Sequence, residues 1–119
     1  MAVGGVLGGA GVPMPWVNEG IFASVIVMGL LIFAAIRPVP LVAVAIVALF
    51  ALFHGHSHGS EFPPSASKVY YGFALIAATS LLHVIGVGVG QLFRVPGGRL
   101  ILRMAGSAIA AAGIALLVG

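Results

Sequence analysis

Polar chemistry is concentrated in one short segment of the chain, HGHSHGSE. It holds three imidazoles and one carboxylate within eight residues, namely His54, His56, His58 and Glu61. On a helix, His54 and His58 lie four residues apart on one face, whereas His56 points to nearly the opposite side. Two imidazoles at this spacing can bind one divalent ion, and imidazole suits nickel, copper, zinc and cobalt better than magnesium or calcium. The segment therefore predicts a transition-metal site, with a polar interfacial cap that binds nothing as the alternative.

Two glycines flank the central histidine of this segment. We expect Gly55 and Gly59 to let the helix loosen, so that His56 or a backbone carbonyl can reach the ion. The same stretch also spells G-x-S-x-G, the nucleophile-elbow pattern, which needs a strand–turn–helix context and an acidic third residue. The chain has no strand pattern and no aspartate. A hydrolase that uses Ser57 with His83 as its base is a remote alternative, and we predict that the protein is not an enzyme.

Two more candidate ligands lie in other apolar stretches. Counting along helices places His83 about 18 Å and His54 about 10 Å below the same membrane surface. Because the two stretches run antiparallel, we expect a ladder of ligands that starts at Glu61 and His58 and ends at His83. A structural hydrogen bond is the alternative role for His83. Glu19 could be a further ligand at the entrance of this path, or its charge could stabilise the start of its own helix through the helix dipole.

Composition places the whole chain in a membrane. Of its 119 residues, 61% are hydrophobic and 6% are charged, against about 25% charged in soluble domains. A soluble protein of this size needs charge to cover its surface, so that class is excluded. The absence of cysteine excludes thiolate sites and disulfides. The five cationic residues are scattered at the ends of apolar stretches, unlike a nucleic-acid-binding patch, so we expect no nucleic-acid partner.

Prolines divide the chain into five apolar stretches that we interpret as helices. Four can cross a hydrocarbon core of about 30 Å, whereas the first reaches only about 18 Å. We predict an all-α, polytopic membrane helix bundle in a single domain, with four full transmembrane helices preceded by a partial one. The predicted ranges are 1–12 for the partial helix and about 19–36, 41–58, 69–93 and 100–118 for the spans.

Small residues four positions apart predict close helix packing. Such pairs are Gly4 and Gly8, Gly5 and Gly9, Gly86 and Gly90, and Gly106 and Ala110. The glycine face of the first stretch indicates a partner helix, supplied either by missing N-terminal helices or by another copy in a homo-oligomer.

Loop charge predicts the orientation of the chain. The loops around 37–40 and 94–99, with their flanks, hold four of the five cationic residues, and Lys68 is the fifth. By the positive-inside rule these two loops are cytoplasmic, and the C-terminus is outside. The histidine segment and both glutamates then lie at the outer side.

The histidine segment resembles the central motif of the HupE/UreJ family, H-G-x-x-H-G-x-E after an apolar run. The resemblance extends over essentially the whole chain and includes residues 11–15, Glu19, the lead-in 47–53, the Leu-Leu-His83 segment and the arginine-flanked final helix. Members of this family are small membrane proteins associated with hydrogenase and urease maturation, and they are regarded as nickel permeases. They usually carry an additional N-terminal helix with the motif H-P-x-x-G-x-D-H, so this chain resembles the C-terminal two-thirds of such a protein.

The resemblance implies both a function and a ligand set. His54, His58 and Glu61 would line the metal path, His83 matches a histidine of the following helix, and His56 occupies a variable position. The implied protein is a permease of a bacterial inner membrane that moves nickel(II), with cobalt(II) as a second candidate ion, and holds no permanent cofactor. A membrane-bound metal store or sensor and an inactive fragment are the alternatives.

Overall fold

The computed structural model describes residues 1–63, 65 and 67–119, and its regular elements are all helical. Within these described residues, five α-helices and one 3₁₀ turn follow each other. They are α1 (Ala2–Gly9), α2 (Val17–Ala34), α3 (Pro40–Ser60), α4 (Lys68–Gly90), the 3₁₀ turn Gln91–Arg94, and α5 (Gly98–Val118).

Four of these helices are long and apolar enough to cross a membrane, by length and composition. They are α2, α3, α4 with its 3₁₀ extension, and α5, each with a mean hydropathy between 1.8 and 2.0 over the span. The remaining helix, α1, has 8 residues and reaches only about 12 Å. The predicted all-α arrangement, four spans preceded by a partial helix, is therefore confirmed.

Helices α1 and α3 pack backbone against backbone through glycines on both sides. A Cβ atom at Gly4 would overlap the carbonyl of Leu52, and one at Gly8 would overlap the carbonyl of His56. From the other side, a Cβ at Gly59 would overlap the carbonyl of Gly5. Interleaved glycines of this kind let two helix backbones approach closely in lipid.

The partner of the α1 glycines therefore lies within the same chain. We expected their face to receive a helix from outside the chain or from a second copy. In the structure, α3 occupies that face, and Gly4 and Gly8 are buried by it. The spacing correctly predicted close packing, and α3 is the helix that meets Gly4 and Gly8, while a further partner from missing N-terminal helices or a second copy stays a prediction.

A second interface joins α2 and α5, which run antiparallel. Gly29 and Gly106 face each other there, because a Cβ on Gly106 would lie 2.7 Å from the carbonyl oxygen of Gly29. Ala110, one turn further along α5, is 4% exposed, and Gly113 meets Ile26. The small-residue spacing at Gly106 and Ala110 thus predicted a real contact.

Helix α4 is set apart from this packing. It has no buried residue, and in the described part of the chain it packs along none of the other α-helices. A Cβ atom at Gly86 or Gly90 would meet nothing within 4 Å. The close packing that we predicted for this glycine pair is therefore absent from the described structure.

Candidate metal site

The end of α3 carries the paired histidines as a regular helix. It continues through the whole histidine segment to Ser60, and Glu61 is its C-terminal cap residue. His54 and His58 therefore share one face, with side chains that start about 5–6 Å apart. At about 100° per residue, Glu61 falls on this same side, away from the α1 interface. The predicted placement of His54 and His58 on one face is thus present, and Glu61 lies on the same side.

The glycines of the segment do not loosen the helix as we expected. Gly55 and Gly59 stay within α3, where they lie against the backbone of α1, at Met1, Gly5 and Gly9. The physical reason is that a missing side chain lets a neighbouring helix approach, and α1 fills the space. Their role in this structure is to hold α1 against α3.

His54 is half-buried and has one ring nitrogen engaged. Its Nδ1 lies 3.1 Å from the carbonyl oxygen of Phe50, one turn earlier in α3. Because a carbonyl oxygen can only accept, Nδ1 carries the hydrogen, and Nε2 keeps a lone pair in the neutral ring. Histidines that bind metals commonly donate their other N–H to a carbonyl in this way, which orients the ring.

His56 lies on the opposite face, in the interface with α1. Its exposed fraction is 8%, and its Nε2 donates to the carbonyl oxygen of Val12 at 2.7 Å. Its Nδ1 is buried and has no hydrogen-bond partner among the described residues. This histidine therefore ties α3 to the segment that follows α1 and does not reach the face of His54 and His58.

His58 lies where α3 meets the start of α4. The Tyr71 hydroxyl donates to the backbone carbonyl of His58 at 3.0 Å. The Tyr71 ring also meets the ring of Phe62 edge to face, with centroids 5.1 Å apart. Sequence reasoning missed this tyrosine, because its contact is with a backbone atom and no side-chain motif signals it.

His83 is exposed on α4, apart from the other histidines. Its Nδ1 donates to the carbonyl oxygen of Thr79 at 2.7 Å, so Nε2 is the free nitrogen of the neutral ring. Because α4 does not pack along α3 in the described structure, the expected ladder from His58 down to His83 is not assembled here.

The two carboxylates are both exposed. Glu19 lies in the first turn of α2, where its negative charge interacts favourably with the positive end of the helix dipole. Glu61 accepts a hydrogen bond from the Ser57 hydroxyl at 3.3 Å. Ser57 is therefore bonded to Glu61 and not to His83, the base that the hydrolase alternative requires.

Taken together, the described residues offer pairs of ligands and no larger group. Within 1–63, 65 and 67–119, no three His, Cys, Asp or Glu side chains converge on a position that could hold a metal ion. The strongest arrangement is the pair His54 and His58 with Glu61 one turn away. These two histidines lie at the end of a helix that is long and apolar enough to cross a membrane.

These features define a polytopic helical membrane protein with a histidine motif at the end of one span. The family model for "HupE / UreJ protein" matches residues 1–116, and the chain belongs to the HupE/UreJ family. The chain is also similar to Protein HupE of Rhizobium leguminosarum bv. viciae, with 43% identity over 120 residues. This alignment covers 100% of the chain and 62% of the relative, so the chain spans about three-fifths of that protein's length. No solved structure matches it.

Proposed function

We propose that this chain forms the metal path of a permease that moves nickel(II) inward across a bacterial inner membrane, with cobalt(II) as a second candidate cargo. The observation that carries the proposal is the pair His54 and His58 on one face of α3. Membership of the HupE/UreJ family, which is linked to nickel uptake for hydrogenase and urease, supports the same cargo. The protein would then be an accessory to metalloenzyme maturation, and a transporter, as members of this family generally are.

The hydrogen bonds of the histidines support ligation. In the neutral rings of His54 and His83 the Nε2 lone pair is free, because a backbone carbonyl holds Nδ1–H in each case. A free lone pair on an oriented ring suits nickel, copper, zinc and cobalt. The proposed ligands are thus Glu61 and His58 where the ion is captured, then His54, and then His83 at a separate position. Glu19 is proposed as a charged residue at the entrance, and His56 as a packing residue.

A site with only two protein ligands suits a permease better than a metal-storage protein. Conduction needs sites that are strong enough to capture an ion and weak enough to release it. A pair of imidazoles with one nearby carboxylate leaves several coordination positions to water. We propose that the ion enters at the end with Glu61 and His58, and that the loops around 37–40 and 94–99 face the cytoplasm.

Nickel accumulation tests this proposal directly. Permease-deficient cells would express the chain, its His54→Ala/His58→Ala variant or its Ser57→Ala variant, with radioactive nickel in the medium. We expect uptake that falls at least about tenfold in the double variant, because both paired imidazoles are lost. Ser57→Ala is the matched control, since its hydroxyl makes one long, exposed hydrogen bond to Glu61 and is not a proposed ligand.

Two readouts make the result decisive. Blots of isolated membranes would establish equal insertion of all three proteins, and nickel titration of the purified proteins in detergent would measure binding. Uptake that persists in the double variant would contradict the histidine path. Binding that the double variant abolishes, without uptake by any variant, would favour the metal store over the permease. Loss of uptake in Ser57→Ala, which the histidine path does not predict, would favour the hydrolase alternative.

A further inference from the structure

The glutamates and the arginines lie at opposite ends of the helix bundle, and Lys68 lies at the start of α4. Glu19 and Glu61 are the two acidic residues of the chain, and both lie at the end that carries the histidine segment. Arg37 follows the opposite end of α2, about 27 Å from Glu19 along the helix axis. Arg99 lies at the same end, in the first turn of α5. The arginines at this end therefore have no carboxylate of their own chain within reach.

Two of these arginines line one pocket. The pocket has a volume of about 210 Å³ and lies between the end of α2, the 3₁₀ turn and the start of α5. Arg37 and Arg99 supply its positive charge, and Leu31, Ile36 and Phe93 are among its apolar walls. Pockets for whole drug-sized molecules measure about 300–1,000 Å³, so this one suits a single small group with an apolar continuation.

The other arginines at this end have different surroundings. The Arg103 Nε donates to the carbonyl oxygen of Phe33 at 2.6 Å, and its guanidinium lies 5.5 Å from the Phe33 ring centroid. The Arg103 guanidinium is therefore engaged by the last turn of α2. Arg94 is exposed and does not line the pocket. The pocket arginines therefore remain available for an external anion.

The start of α5 adds to the positive potential of the pocket. Its N-cap residue, Gly97, makes no side-chain cap hydrogen bond, and the Gly98 N–H bonds back to the Val95 carbonyl, so the N–H groups that follow Gly98 lack a cap. An uncapped helix start attracts anions through these N–H groups and the helix dipole. Arg99 is the second residue of this helix, so its guanidinium and the helix start belong to the same corner of the fold.

We propose that this pocket binds the phosphate group of an anionic phospholipid. Guanidinium groups recognise phosphate through paired, charge-assisted hydrogen bonds. The apolar walls would lie against the glycerol and the first acyl carbons, which a free inorganic phosphate lacks. Basic pockets between transmembrane helices on the cytoplasmic side are a recognised form of lipid-headgroup site. The proposal is independent of metal transport, since the pocket lies at the opposite end of the helices from the histidine segment.

Lipid binding by the purified full chain tests the proposal. Native mass spectrometry in detergent would measure retention of phosphatidylglycerol and of zwitterionic phosphatidylcholine by the wild type, Arg37→Gln, Arg99→Gln and the double variant. We expect phosphatidylglycerol to bind in preference. Each single substitution should weaken it about fivefold and the double about 25-fold, which corresponds to ~1 kcal/mol for each arginine. Arg94→Gln is the matched control and should change retention by less than about twofold.

Each other result would overturn the proposal. Equal retention of the two lipids would mean that charge recognition is absent. Equal weakening by Arg94→Gln would mean that diffuse surface charge binds the lipid, and not this pocket. Inorganic phosphate and soluble glycerol phosphate would also be added as competitors. If both displaced the lipid equally well, the pocket would be assigned to a free phosphate. Thermal unfolding of each variant in detergent would identify any variant that fails to fold, and Arg→Met substitutions, which also remove the charge, would then replace Arg→Gln.

Discussion

Replacing Gly59 with alanine should push α1 away from α3. A Cβ atom at this position would overlap the carbonyl oxygen of Gly5 and lie 2.9 Å from the backbone nitrogen of Gly9. Neither atom can rotate away, because both belong to the backbone of a helix. The two helices must separate, and the hydrogen bond from His56 to the Val12 carbonyl must stretch with them.

The expected size of the effect follows from two opposing terms. Overpacking of a tight interface costs about 1–3 kcal/mol, and contact with two backbone atoms places Gly59→Ala in the upper part of that range. Alanine in a helix interior is about 1 kcal/mol more favourable than glycine. The net loss in unfolding free energy should be about 1–2 kcal/mol. Gly86→Ala is the matched control, since its Cβ would meet nothing within 4 Å, and it should gain up to about 1 kcal/mol.

Unfolding in mixed micelles, followed by circular dichroism, measures both variants on the same scale. The single tryptophan of the chain, Trp16, lies between α1 and α2 and reports on the displacement of α1 through its fluorescence. The two variants should differ by about 2–3 kcal/mol, with altered fluorescence in Gly59→Ala alone. If Gly59→Ala were stabilised as much as Gly86→Ala, with unchanged fluorescence, the close contact between α1 and α3 would be refuted.

Two further substitutions test other parts of the fold. Ala35, which ends α2, has a φ of 54°, and the Ala35 and Ile36 amides bond back to Ile32 and Leu31. Ala35→Gly should therefore raise the unfolding free energy by about 0.5–1 kcal/mol, since the left-handed conformation costs alanine more than it costs glycine. An unchanged or lower value would show that Ala35 is not strained. His56→Ala should lower the unfolding free energy by about 1–2 kcal/mol through the lost bond to Val12, while nickel titration stays unchanged. Weaker nickel binding without a loss of stability would make His56 a ligand.

Sequence reasoning predicted the helices well, because long apolar runs between prolines leave few other structures in a membrane. The predicted start of the second helix, near Glu19, differs from the observed start at Val17 by two residues. Helical spacing also placed His54 and His58 on one face and His56 on the other. These results depend only on local geometry, which sequence spacing determines.

Packing between helices was harder to predict, because a glycine pattern indicates a close contact without naming its partner. The α1 glycines meet α3, and the Gly86–Gly90 pair meets nothing in the described structure. The position of His83 depends on how α4 packs, and no feature of its own sequence determines that. Tyr71 bonds a backbone carbonyl, so its role depends on the tertiary fold alone.

The histidine segment uses two faces of α3, so its fold and its candidate ligands both depend on the helical register of the segment. Residues that touch α1 alternate with the candidate ligands, so His56 and the two glycines lie within about two helical turns together with His54 and His58. Inserting one residue before His54 would rotate everything beyond it by about 100°. The glycines would then leave α1 and bulkier side chains would replace them there. Substitutions in this segment are therefore more tolerable to the fold than insertions or deletions, which damage packing and ligand placement together.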